Sequence, residues 1–299
     1  MHDDDIRRQA IALYDRFTHE GMDRRLFMGR MVALVGSLAA AEALIGAISA
    51  SPAAAAIVPA NDPRLTTNLL ALGGYGDGPQ YRAYVARPRE GPFARPAVLL
   101  FHENRGLNEH TRDVARRLAL AGYRVVAPDM LSPAGGTPAD EDKAREMIGK
   151  LDLAASVQHV KWMVGFLRQR VRTSGFQGTG KVGAVGFCWG GAFVNRLAVA
   201  AGDELDAGVV YYGTAPDPSE APRVQAPLMI HHAGLDGRVA QTLWPWITAL
   251  RAAGKPVTYF NYEGANHAFN NDTSAERYNK AAADLAWKRT LRFFGTHLA

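Results

Sequence analysis

Apolar runs and amphipathic stretches take turns along the chain from about residue 81 onward. Ala97-Val98-Leu99-Leu100-Phe101 is wholly apolar, and Val182-Gly183-Ala184-Val185 is apolar around one glycine. Short continuous runs of this kind read as strands buried on both faces. Tyr81 to Arg87, Tyr123 to Ala127, Ala207 to Tyr212, the stretch from Leu228 and Val257 to Tyr262 read as further strands. Between them lie helical stretches. Glu109 to Ala121 sets Val114, Leu118 and Ala121 on one face, and Ala192 to Ala198, Asp152 to Arg170, Thr242 to Ala253 and Ser274 to Phe294 complete the set. Ser132 to Pro138 is a Gly/Pro-rich loop and Gly175 to Gly180 a turn. Strands alternating with helices predict an α/β fold, with a mostly parallel central sheet and helices on both faces.

The first 56 residues follow a different pattern. Asp23-Arg24-Arg25-Leu26-Phe27 contains a twin arginine, then comes an alanine-rich, weakly apolar stretch from Met31 to Ser51, then Pro52-Ala53-Ala54-Ala55-Ala56. Charge, apolar stretch and small exit residues are the parts of a signal peptide, and the paired arginines point to Tat export, with cleavage close to Ala56. The competing reading is an uncleaved amphipathic or membrane-anchoring helix, favoured by the 22 residues ahead of Asp23 and by Glu42 within the apolar stretch. Either reading places residues 1–56 outside the catalytic fold, a periplasmic or exported destination going with the first. Residues 57–299 would then form one catalytic domain, about 240 residues being enough for a single α/β unit.

Composition narrows the class. Of the 299 residues, 47% are hydrophobic and 21% charged, as in an ordinary soluble globule. The net charge is +5, and its basic residues are scattered without interleaved aromatics, which argues against a nucleic-acid surface. A single cysteine excludes an internal disulfide and any cysteine cluster for metal. His231-His232 could ligate a metal, but neighbours on a strand point to opposite faces, and no further ligand stands beside them apart from Asp236. No metal and no cofactor is expected. His110 and His159 fall in helical stretches and are expected at the surface.

That one cysteine, Cys188, sits in Gly186-Phe187-Cys188-Trp189-Gly190-Gly191, between a strand and a helix. Strand, Gly-x-Cys-x-Gly, helix is the setting of a nucleophile elbow, where a sharp turn lifts a strained residue above the sheet edge. The plainer reading is a buried structural cysteine. Partners follow in the order nucleophile, acid, base: Gly234-Leu235-Asp236 closes one strand, and His267 lies in the loop after Val257–Tyr262. Both stand at the sheet rim where ligands bind in open parallel sheets. Cys188, His267 and Asp236 thus supply nucleophile, base and orienter for acyl transfer.

The sequence resembles the dienelactone hydrolase (carboxymethylenebutenolidase) family of α/β-hydrolases from about Gln80 to the C-terminus. The likeness rests on residues 186–191, Gly234-Leu235-Asp236, Gly264-Ala265-Asn266-His267-Ala268-Phe269 and His102-Glu103-Asn104-Arg105-Gly106. It implies that Glu103 contacts the resting thiol and controls its ionisation by like-charge repulsion. It also implies an oxyanion hole from the backbone N–H groups of Asn104 and Trp189. For Glu103 the alternative is a solvated loop carboxylate. Family members bind a substrate carboxylate with two arginines, one of them four residues past the histidine; Asn271 stands there in this chain. Arg145 is matched loosely to the other, and Arg105 is a further cation close by.

These readings converge on a cofactor-independent hydrolase of a small ester or lactone, with dienelactone itself placed in doubt by Asn271. Thioester or peptide cleavage by the same triad is the enzymatic alternative. A thiol-based redox sensor or binding protein on a hydrolase scaffold is the other class. The intact Asp236 and His267 favour hydrolysis, because a sensor needs no oriented base. His102 either lines the pocket or bonds structurally. The expected partner is a small molecule, plus the Tat machinery if the leader is real; oligomeric state is left open.

Overall fold

The computed structural model describes residues 3–49, 56–73, 78–91, 95–173 and 180–299. Three helices come first: α1 (Asp3–His19), α2 (Arg24–Val35) and α3 (Leu38–Ile48). Eight strands follow: β1 (Leu65–Ala71), β2 (Arg82–Pro88), β3 (Ala97–Phe101), β4 (Arg124–Pro128), β5 (Val182–Phe187), β6 (Ala207–Tyr211), β7 (Leu228–Ala233) and β8 (Val257–Tyr262). Interleaved with them are α4 (Glu109–Leu120), α5 (Glu141–Gly149), α6 (Leu153–Thr173), α7 (Trp189–Ala201), α8 (Gly237–Ala252) and α9 (Lys280–His297).

The strands form one sheet in the order β1-β2-β4-β3-β5-β6-β7-β8. β2 pairs antiparallel with both β1 and β4, and every later pair is parallel. Residues of β3 and β5 are buried throughout, as their apolar runs require. One face is covered by α4 and α9 through Val114, Leu118, Ala286 and Phe294. The other is covered by α6, α7 and α8 through Val160, Val164, Leu197, Leu243 and Trp246. This is the α/β architecture expected, with most elements close to their predicted places. α8 begins five residues early because Asp236 caps it, accepting from the Val239 N–H at 3.1 Å. α9 begins at Lys280 behind the cap of Asn279, so residues 274–279 are turns. β1 and α5 were not foreseen, and most of the Gly175–Gly180 turn lies outside the described residues.

Residues 3–49 form a three-helix unit seated on the carboxyl-end rim of the sheet. Its own small core joins Ile11, Tyr14 and Phe17 of α1 to Phe27 and Met31 of α2 and Ile48 of α3, with Phe17 and Phe27 stacked at 4.3 Å. It is held from below at both ends. Asn104 Nδ2 donates to the Thr18 carbonyl at 3.2 Å and Arg105 to the Tyr14 hydroxyl at 2.9 Å. Arg277 Nε donates to the Ile48 carbonyl at 3.0 Å, and the Glu276 N–H to the Ala47 carbonyl at 3.2 Å. No single described helix is long and apolar enough to cross a membrane. α2 and α3 would suffice by length and composition only as a pair, and they are bent by 106°. Just beyond, Asp113 accepts the N–H groups of Ile57 and Val58 and so ties the chain down on α4.

Two surface expectations fail. His110 is buried against Asp272 at 3.1 Å, and His159 is stacked on Tyr81 with ring centroids 4.0 Å apart. Helical position alone carried no sign of these tertiary partners.

Candidate active site

The carboxyl ends of β3, β5, β6, β7 and β8 deliver Glu103, Cys188, Tyr212, Asp236 and His267 to one rim. Cys188 occupies the turn from β5 to α7 with φ 55° and ψ −114°, a strained conformation for a residue with a side chain. Its glycine neighbours are needed for close approach. A Cβ on Gly186 would lie 2.1 Å from the Gly190 carbonyl oxygen, and one on Gly190 would lie 2.4 Å from the Phe101 carbonyl oxygen. Among the described residues, the non-glycine residues with positive φ are Cys188, Tyr212 and Ala268, all at this rim. Strain is concentrated where the side chains converge.

Asp236 and His267 meet as the chain order predicted. Asp236 Oδ2 lies 2.5 Å from His267 Nδ1, both side chains nearly fully buried. Burial alone would raise the Asp236 pKa, but the charge of His267 and its hydrogen bond outweigh it and hold the carboxyl well below its usual range. For His267 burial pulls downward, and the Cys188 sulfur and the Asp236 carboxylate outweigh it and push the imidazole well above the usual range. Asp236 therefore orients the His267 ring, which is disposed to hold a proton. Trp189 is the first residue of α7, whose N–H has no acceptor within the helix, and both Trp189 and Asn104 line the cavities at the sulfur.

The expected substrate and gate residues are arranged differently from the sequence reading. Glu103 lines the cavity with Cys188, but its carboxylate accepts from Tyr212 Oη at 3.2 Å and from Asn271 Nδ2 at 2.8 Å. Tyr212 keeps its proton for this bond: burial, then the charges of Glu103 and Cys188, push its pKa well above the phenol range. Asn271 is fully buried, its Oδ1 accepting from the N–H and hydroxyl of Thr273, so it orients Glu103 and does not face a ligand. Arg105 pairs with Asp142 at 3.0 Å as well as with Tyr14. Arg145 lies over the Phe17 ring at 4.5 Å and donates to the Phe17 carbonyl at 3.5 Å. Both arginines thus line the cavities while engaged by the N-terminal unit. His102 is a structural bonder, its Nδ1 on the Glu103 carbonyl at 2.6 Å and its Nε2 accepting from the Met130 N–H at 3.3 Å.

Sequence reasoning missed the residues that arrive from elsewhere. His19 Nε2 is 3.2 Å from Cys188 Sγ, the side-chain hydrogen bond described for the sulfur. Tyr14, Thr18 and Arg277 line the cavity above it, and Arg238, in the first turn of α8, lines the adjoining one. Nothing along α1 signals His19, whereas Arg238 stands two residues past Asp236. Ligand-type atoms of His19, Cys188 and His267 lie within 4.8 Å of one another. We read that grouping as nucleophile and acid–base chemistry, since the same atoms complete the Cys188, His267, Asp236 array. His231 and His232 face opposite sides of β7, against Tyr262 and Trp244 respectively.

Residues 81–298 match the model of the dienelactone hydrolase family. A carboxymethylenebutenolidase of Pseudomonas putida is 32% identical over 238 residues, covering 77% of this chain and 96% of the relative. Two solved structures share the fold. One is a dienelactone hydrolase-like promiscuous phosphotriesterase from metagenomic libraries, with TM-score 0.63, 23% identity and coverage of 79% of this chain and 100% of that one. The other is a dienelactone hydrolase from Anabaena variabilis, with TM-score 0.59, 19% identity and the same coverage. The match begins at residue 81, so α1, α2, α3 and β1 lie outside it.

Proposed function

The chain belongs to the dienelactone hydrolase family of α/β-hydrolases, and we propose that it hydrolyses a small ester or lactone through an acyl-cysteine intermediate. The observation that carries this reading is Cys188 raised on a strained elbow beside a buried His267 that Asp236 orients at 2.5 Å. Cys188 Sγ, its proton transferred to His267 Nε2, attacks the substrate carbonyl carbon. The oxyanion that forms is met by the backbone N–H groups of Asn104 and Trp189. Collapse of the tetrahedral adduct expels the alkoxide, which takes the proton from His267, and leaves a thioester on Cys188. Water, deprotonated by His267, then attacks that thioester and releases the acid.

No step calls for a cofactor. Thioester cleavage uses the same atoms and enters as an arm of the same substrate panel. The test is turnover of p-nitrophenyl esters, lactones and acyl-thioesters, with trapping of an acyl adduct on Cys188 by mass spectrometry. Cys188→Ala is expected to lose turnover and adduct while keeping its fold; an alanine variant as active as the parent removes the mechanism.

Export is a separate proposal. Arg24 and Arg25 are exposed at the start of α2, with Arg24 reaching Asp142 at 2.5 Å. The Tat route carries folded cargo behind an accessible leader, so recognition of the pair requires the N-terminal unit to leave the rim. Cell fractionation of the chain and of an Arg24→Lys, Arg25→Lys double variant decides: the same compartment for both ends the export reading.

A further inference from the structure

His19 ends α1 and brings a second imidazole to the nucleophile, from a segment that the family match does not include. Its ring is fixed from behind. Nδ1 lies 2.8 Å from the Asp15 carbonyl oxygen and 2.9 Å from Thr18 Oγ1, whose own hydrogen is directed to the Tyr14 carbonyl at 3.0 Å. A carbonyl oxygen only accepts, so Nδ1 carries the ring hydrogen and Nε2 presents a lone pair. The other tautomer would set two lone pairs against each other across 2.8 Å. Nε2, at 3.2 Å from Sγ, can therefore accept from S–H and opposes S⁻. His267 acts in the opposite sense, since its protonated ring stabilises the thiolate. Two imidazoles on the same sulfur thus favour opposite protonation states.

The cavity over the sulfur, lined by His19, Glu103 and His267, has about 20 Å³ free, room for a single water. The adjoining cavity, of about 230 Å³, is lined by Cys188 as well as by His19, Trp189 and Tyr212. An ester seated there meets the sulfur beside the His19 ring, and a carbonyl that takes the place of Nε2 on Sγ moves that ring aside.

We propose that His19 is a positioning residue of this active site: it accepts the Cys188 S–H and keeps the nucleophile as a thiol until substrate displaces its ring. On displacement the S–H bond breaks, its electron pair stays on sulfur, and the proton passes to His267 Nε2. The inference rests on Cys188 being the nucleophile. Other groups also face the sulfur or its partners. His267 with Asp236 behind it comes from the β7 and β8 ends, Glu103 from the β3 end and Tyr212 from the β6 end. Asp15 stands behind His19 on α1, with Arg105, Arg238 and Arg277 at the rim. A substitution at His19 leaves all of these in place.

The experiment is the rate of iodoacetamide alkylation against pH for the full chain and for His19→Phe and His19→Ala. Cys188 is the only cysteine in the chain, so every label reports on it. Phenylalanine keeps the ring volume and removes the lone pair; alanine removes both. Both variants are expected to ionise at lower pH and to react about tenfold faster at pH 6, the size of a one-unit shift. A His19→Phe profile that coincides with the parent overturns the proposal, including the case where only His19→Ala is faster, because that shows shielding alone. Circular dichroism checks folding, and His19→Leu substitutes for a phenylalanine variant that fails it. Alkylation needs no turnover, so a chain that cleaves none of the esters would overturn the proposed function and leave this profile readable.

Discussion

Asp236 Oδ2 stands 2.5 Å from His267 Nδ1, and the same aspartate caps α8 through Oδ1. One side chain thus fixes the His267 ring and begins the helix behind it. Asp236→Asn separates the two duties, since an amide oxygen can still accept from the Val239 N–H but brings no charge to His267. The variant should keep its melting temperature within a few degrees and lose about 10²- to 10⁴-fold in kcat/KM, the range associated with general acid–base catalysis. Steady-state kinetics beside a thermal melt separate the outcomes. Unchanged kinetics would make the aspartate a helix cap only.

The glycines of the elbow make a prediction about packing. Gly190→Ala places a Cβ 2.4 Å from the Phe101 carbonyl and 2.6 Å from the His102 carbonyl, both backbone atoms that cannot swing away. The β5–α7 turn must shift, so the variant should melt several degrees lower and lose its activity. Gly295→Ala is the control. It lies exposed near the end of α9 with nothing within 4 Å of an added Cβ, and should gain about 0.4–1 kcal/mol from reduced freedom of the unfolded chain. Two melts by calorimetry, moving in opposite directions, are the expected result.

Those elbow residues were legible because local pattern and tertiary role coincide. β3 and β5 are apolar throughout and buried throughout, and residues just past their ends are at the rim by construction. β1 was not legible, because it is an edge strand with only Leu65 buried, and Leu65-Thr66-Thr67-Asn68 shows no periodicity to read. α1 carries a pattern that can be read. Ala10, Ile11, Tyr14, Phe17 and Thr18 fall at i, i+1, i+4, i+7 and i+8, one helical face, and all five are buried. What no pattern could show is that the next residue, His19, lies off this face and meets a sulfur 169 positions away.

Acid should destabilise the protein partly through His231. The ring is fully buried, with Tyr262 Oη at 2.9 Å and Thr290 Oγ1 at 3.1 Å from its nitrogens. Burial, helped by the charge of Arg289, pushes its pKa down to about 3. Between that value and the unfolded value near 6.5 the unfolded chain binds more protons, so stability rises with pH across this window. It is lost as pH falls from about 6.5 toward 3, by up to a few kcal/mol. Urea unfolding at pH 7, 5.5 and 4 for the chain and for His231→Gln measures the slope. The variant should show a shallower loss; parallel curves would assign the acid sensitivity to other groups.

Substrate charge is the last prediction, and it follows from where the cations are spent. Asn271 holds Glu103 at 2.8 Å, Arg105 is shared between Asp142 and Tyr14, and Arg145 covers Phe17. None of the three is left facing the sulfur as a free carboxylate receptor; Arg277 is held by the Ile48 carbonyl and Asp15, and Arg238 lines the adjoining cavity. Glu103, in the same cavity, would repel a second carboxylate. Neutral esters or lactones should therefore match or exceed their carboxylate-bearing counterparts in kcat/KM. The comparison uses pairs that differ only in methyl esterification of a remote carboxylate. A tenfold preference for the free acid, about 1.4 kcal/mol of transition-state binding, would show that Arg238, or an arginine that leaves its helix partner, meets substrate. Arg105→Gln, Arg145→Gln and Arg238→Gln would then identify which one, by removing that preference.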